Sequence, residues 1–99
     1  GITGGVGAES RAAMMSRYDD FNLHLAFAEP GGQFLADVRV VIRDRTGSVV
    51  YDGPSTGPYL FIEVPAGTYR ITAQQGDARD VKTAVAGDTP RGITYFHLR

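Results

Sequence analysis

His24 and His97 with Glu63 would make a weak site for a divalent cation, since an imidazole nitrogen and a carboxylate oxygen both suit one. Histidines one step off the inward positions of a strand are more often plain surface residues than ligands, so no metal and no other cofactor is expected. Tyr59 and Tyr95 read as surface-directed aromatics able to stack on sugar rings. Nucleophilic catalysis finds little support. Cysteine is absent, and Ser10, Ser16, Ser48 and Ser55 sit in helix or turn contexts without the elbow that exposes a serine nucleophile. An autocatalytic isopeptide needs a buried lysine and asparagine with an acidic catalyst; Lys82 and Asn22, the available pair, both alternate outward. Gly4-Gly5-Val6-Gly7 has no strand before it and no Gly-Lys-Ser/Thr after it, so it reads as a flexible leader and not as a phosphate loop. Asp44, Asp52 and Asp77 read as turn residues, where loop hydrogen bonding explains an aspartate better than calcium does. No catalytic constellation emerges, and the chain is not expected to be an enzyme.

The elements that would position these residues follow from periodicity. Residues 8–18 are good helix formers with Glu9 in the first turn, and Ala8, Ala12 and Met15 fall on one stripe. From Phe21 the period becomes two. Phe21, Leu23, Leu25 and Phe27 alternate with Asn22, His24, Ala26 and Ala28, the pattern of a half-buried strand. Val38, Val40 and Ile42 mark a second strand, and the turn through residues 44–47 returns it as a short third over residues 48–51. Residues 52–58 have turn chemistry. A fourth strand carries Leu60, Ile62 and Val64, a fifth Tyr69, Ile71 and Ala73, and a sixth Val81, Thr83 and Val85. Residues 87–92 read as loop, and residues 93–98 as the seventh strand. Seven short strands with no helix between them predict an antiparallel sandwich, because parallel crossovers need a dozen residues or more.

A length of 99 residues allows one core, and 42% apolar with 21% charged residues is an ordinary globular balance. Ten basic residues against eleven acidic leave a formal charge of −1, and the basic residues are scattered along the chain, which argues against nucleic acid as a partner. Nor is any stretch apolar enough to predict a membrane span. Nine of the basic residues are arginine. The glycine-rich residues 1–7 read as the kind of segment left by signal cleavage or tag removal.

Ala36-Asp37-Val38-Arg39-Val40-Val41-Ile42 running into Asp44-Arg45-Thr46-Gly47, followed by Val64-Pro65-Ala66-Gly67-Thr68-Tyr69-Arg70-Ile71, resembles a carboxypeptidase-regulatory-like domain of the transthyretin-like (prealbumin-like) sandwich group. In that family the second segment is a proline-glycine turn leading into a strand through a buried tyrosine, here Tyr69. Some transthyretin-like proteins hydrolyse 5-hydroxyisourate with a Tyr-Arg-Gly-Ser tail; this chain ends Tyr95-Phe96-His97-Leu98-Arg99 and lacks it. The glycine-rich start and helix resemble small exported bacterial proteins, which implies a periplasmic or secreted location.

The resemblance further implies that strands one, four and seven share a sheet, bringing His24 and His97 onto neighbouring strands. The outer face would present Asn22, His24, Ala26, Ala28, Tyr59, Phe61, Glu63, Tyr95 and His97. Such a face is too apolar for water, and the chain's own helix is the expected cover; failing that, Tyr59, Phe61, Tyr95, His24 and His97 are the candidate binding residues.

The expectations are therefore an all-β, seven-stranded antiparallel transthyretin-like or Ig-like sandwich over residues 21–99, preceded by a leader and short helix over residues 1–20. The expected function is that of a non-catalytic exported binding or structural module for a protein or envelope component, with a carbohydrate-binding module as the alternative. Gly67 is expected to hold a backbone conformation that a side chain resists.

Overall fold

The computed structural model describes residues 1–88 and 91–99, so the loop expected over residues 87–92 lies in part, at residues 89 and 90, outside the described residues. Its elements are β1 (Ile2–Gly4), α1 (Ala8–Met15), a 3₁₀ turn (Tyr18–Asp20), β2 (Leu23–Ala28), β3 (Val38–Arg43), β4 (Val49–Ser55), β5 (Tyr59–Ile62), β6 (Gly67–Gln75), β7 (Ala78–Ala86) and β8 (Thr94–His97). They form two four-stranded sheets, ordered β1-β5-β2-β8 and β4-β3-β6-β7.

The alternating apolar residues explain why these sheets face each other. Leu23, Leu25 and Phe27 of β2, Leu60 and Ile62 of β5, and Phe96 of β8 meet Val38, Val40 and Ile42 of β3 and Tyr69, Ile71 and Ala73 of β6 in one core. Phe27 and Phe96 stack at its centre, ring centroids 5.2 Å apart. Tyr69 reaches back across the proline-glycine turn to donate its hydroxyl to the Pro65 carbonyl, 2.5 Å away, which anchors the start of β6. Asn22 ties three segments together. Its side-chain amide donates to the carbonyls of Val64 (2.7 Å) and Gly87 (3.1 Å), while its Oδ1 accepts from Val64 N–H (2.9 Å).

Several expectations need correction. The strands number eight among the described residues, because residues 2–4 are not a free leader: they pair antiparallel with β5, Thr3 opposite Leu60. Thr3 Oγ1 donates to the Tyr59 carbonyl at 2.7 Å and accepts from Thr56 N–H at 3.0 Å, so the glycine-rich start is stitched to the corner after β4. The sandwich is also not wholly antiparallel, since β2 and β8 run parallel, Ala26 opposite Tyr95. The chain passes through the whole second sheet between those two strands, which supplies the crossover a parallel pair needs.

α1 stops at Met15, three residues short, where Arg17 N–H bonds the Met14 carbonyl and tightens the last turn. Met14 is its buried residue, whereas Met15 is 36% exposed and Ala8 and Ala12 are exposed. β4 continues through Asp52, Gly53 and Pro54 to Ser55, pairing with β3 throughout; the turn chemistry of that segment is tolerated because β4 is an edge strand. β7 has the opposite phase to that expected. Ala84 lies opposite Tyr69 and faces in with Ala86, where their small side chains leave room for the ring, and Val85 is turned out at 46% exposure. Gly67 has an ordinary backbone conformation, and a Cβ there would meet nothing nearer than 3.8 Å.

Candidate functional site

The two outer faces of the sandwich are unlike each other. Behind β5 and β2 lies a second apolar cluster of Met14, Phe21, Ala26, Tyr59 and Phe61, closed by Ile2 and Tyr18. β2 and β5 are consequently buried on both sides, which is why every residue of β2, outward positions included, is inaccessible. The N-terminal segment is the cover.

This placement divides the five candidate binding residues. Phe61 is fully buried, His24 is 1% exposed and Tyr59 is 6% exposed, its ring packed against Phe34 and Phe61. Tyr95, at 46%, and His97 are exposed. Tyr59 is thus not surface-directed, and of the two aromatics expected to face sugar rings Tyr95 alone is exposed. The metal pair does not form. His97 is level with Ala28, four residues along β2 from His24 and about 13 Å away on that count. Among the described residues no group of three or more His, Cys, Asp or Glu side chains is arranged to hold a metal ion.

His24 is instead a structural group under stress. Its Nε2 lies 2.7 Å from the Tyr18 carbonyl, which can only accept, so Nε2 carries the proton. The ring stacks on Tyr18 at 3.6 Å and 3°, and meets the edge of Phe61 at 4.8 Å. Nδ1 is buried with no partner among the described residues. Burial pushes the imidazole below its ordinary value of 6.5, against the opposing pull of the Tyr18 carbonyl and Asp19. In the unfolded chain the ring titrates near 6.5 and in the folded chain below it, so between those values the unfolded chain holds more protons and stability rises with pH. Thermal melts are expected to fall as pH is lowered from 7 through 6.5 and below, and the drop should shrink in His24→Gln, which keeps a donor for Tyr18 but does not titrate. Equal pH slopes for the two proteins would refute the assignment.

The other outer face, on β4-β3-β6-β7, has no cover among the described residues. Cross-strand registers place Asp52, Val41, Thr72 and Val81 in one row, Pro54, Arg39, Gln74 and Arg79 in the row on one side, and Arg43, Arg70 and Thr83 in the row on the other. Val41, Thr72 and Val81 are half-buried while the four arginines are exposed. Against these arginines stands one carboxylate, Asp52, leaving the strands of this face at +3 on a chain whose total is −1. Asp52 lies on this strand face and not in a turn, and it accepts from Arg39 Nη2 at 3.1 Å. Arg43 and Arg70 sit directly opposite each other with no such partner among the described residues. Sequence reasoning missed this gathering. Arg39 and Arg43 share β3, but Arg70 and Arg79 lie far along the chain, and only the pairing of β3 with β6 and of β6 with β7 brings the four together.

A depression of about 520 Å³ lies at the same end of the sandwich as the Arg43–Arg70 row, beyond the 64–66 turn, where Asp19, Asp20, Glu63 and Asp88 line it beside Asn22. Asn22 spends both ends of its amide on backbone there. Among the described residues no helix is long and apolar enough to cross a membrane. No family model matches the chain, and no curated protein matches it. Fold and geometry define it as a two-sheet β-sandwich with one face covered over β5 and β2 and one open, arginine-bearing face.

Proposed function

We propose that this chain is a non-catalytic exported binding module that engages its partner, a protein or an envelope component, through the open face of β4-β3-β6-β7. One observation carries the reading: the N-terminal segment covers one sheet, while among the described residues nothing covers the other, where arginines flank a half-buried Val41-Thr72-Val81 row. A solvated face usually intersperses the two signs of charge, whereas this one sets four arginines against the single carboxylate of Asp52. The resemblance of residues 36–47 and 64–71 to a carboxypeptidase-regulatory-like domain supports the sandwich fold and not an activity, and the resemblance of the N-terminal region to small exported proteins supports the location.

Amide chemical-shift mapping with a solubilised cell-envelope extract is the test. The expected shifts fall on Val41, Thr72, Val81 and the adjacent arginines. Shifts confined to Tyr95, His97 or the acidic depression would sink the open-face reading, and ester or amide turnover that disappears in His24→Gln would sink the non-catalytic one.

A further inference from the structure

We propose that the hairpin end of the open face is a binding site for a tetrahedral oxyanion, a phosphate or sulfate group, held by Arg43 and Arg70 with Arg45 at its rim. The proposal rests on the open-face reading and names its chemistry. Arg43, Arg45, Arg70, Thr68 and Thr83 line a notch of about 310 Å³, large enough for such a group.

Three features distinguish the notch from a chance pair of surface cations. First, Arg43 and Arg70 are directly opposed across β3 and β6, an arrangement in which like charges destabilise the sheet. Second, the same face shows how an arginine is neutralised when it is to be neutralised: Arg39 holds Asp52 through Nε and Nη2, at distances of 3.1–3.2 Å. Among the described residues nothing comparable serves Arg43 or Arg70. Third, the carboxylate among the notch's lining residues is held to the turn through its Oδ1. Asp44 also lines the notch, but its Oδ1 accepts from Thr46 N–H (2.9 Å), Thr46 Oγ1 (2.7 Å) and Ser48 N–H (3.0 Å), so it closes the hairpin instead of bridging the arginines.

The donors are partly preset. Arg43 Nη1 donates to the Gly47 carbonyl at 2.9 Å, which fixes the guanidinium over the turn. Its other N–H groups, and all those of Arg70 and Arg45, meet no protein acceptor among the described residues. Two guanidinium forks with the Thr68 and Thr83 hydroxyls beside them suit a tetrahedral dianion, which presents several acceptor oxygens at once, better than a planar carboxylate.

Titration with inorganic phosphate, followed through the Nε–H signals of the arginines and the amides of residues 43–47 and 68–70, tests the site against chloride at matched ionic strength. Saturable shifts are expected at Arg43 and Arg70, with a Kd of about 1 mM at low salt, and Arg43→Gln/Arg70→Gln should weaken binding by about tenfold or more. Both side chains are exposed, so this variant should fold and should melt no lower than the parent; phosphate should raise the melting temperature of the parent alone. Vesicles containing phosphatidylglycerol distinguish the source. Sedimentation with them that depends on both arginines places the phosphate on a lipid, and its absence alongside phosphate binding places it on a soluble ligand; either outcome supports the site. Shifts no larger than those in chloride, shifts spread evenly over all arginines, or shifts that survive the double variant would overturn it. If envelope extract still moved Val41, Thr72 and Val81 in that event, the open-face reading would stand without the oxyanion site.

Discussion

Deleting residues 1–18 is expected to lower the stability of the domain by about 2–4 kcal/mol and to convert it into a self-associating species. The truncation removes Met14 and Tyr18 and uncovers Phe61, Tyr59, Ala26 and His24, all now buried. Loss of cover from two large aromatic side chains amounts to roughly 3–6 kcal/mol, and the conformational freedom no longer spent on ordering the segment offsets part of it. The melting temperature should drop by about 10–20 °C at the usual sensitivity for a domain of this size. Association follows from the backbone. Without β1, the Tyr59–Ile62 strand becomes a sheet edge made of Tyr, Leu, Phe and Ile, with the unpaired N–H and C=O groups that recruit another chain. Sedimentation velocity and apolar-dye binding read both effects. A monomer with the parent melting temperature would show that the segment is not the structural cover of this sheet.

How much of this was legible in the sequence depends on which interactions set each feature. Core strands were legible because period-two alternation is a property of consecutive residues: Leu23, Leu25, Phe27, Val38, Val40, Ile42, Tyr69, Ile71 and Ala73 all face the core as their spacing requires. The phase of β7 was not, because the choice of Ala84 over Val85 is made by the Tyr69 ring across the strand, and hydrophobicity alone favours the valine. Nor was β1. A three-residue strand flanked by glycines has no period of its own, and its pairing is decided by the exposed edge of β5 and by the Thr3 hydroxyl. The cover over this sheet followed from an argument about solvent, that an apolar sheet face needs a partner, although the helix residue that joins the cluster is Met14 and not Met15, and the ring over His24 is Tyr18. The arginine face was invisible for the opposite reason. Charge patterning along a chain does not register residues that only long-range pairing assembles, such as Arg43 with Arg70.

Gly57→Ala is expected to reproduce much of the deletion phenotype from a single methyl group, with a loss of about 2–3 kcal/mol. A Cβ at this position would stand 2.4 Å from the carbonyl carbon and oxygen of Gly4 and 2.8 Å from its Cα. These are backbone atoms of β1, so no side-chain rotation relieves the clash, and either the corner after β4 or β1 itself has to move. Moving the corner would disturb Ser55, which is fully buried and donates its hydroxyl to the Gly57 carbonyl at 2.7 Å. Releasing β1 is the easier escape, and it sets an upper bound: the substitution cannot cost more than detaching the N-terminal segment does. The same reasoning makes the effect conditional. Once residues 1–18 are deleted Gly4 is gone, and Gly57→Ala should then be nearly neutral, so the two changes should be far from additive in a double-mutant cycle. Gly67→Ala serves as the control, since its Cβ would meet only ordinary contacts at 3.8 Å and beyond, and it should melt close to the parent. Additive losses from Gly57→Ala and the deletion would mean that the methyl group is resisted by something other than β1, and the contact between the N-terminal strand and the corner would lose its role as the clasp that holds the cover down.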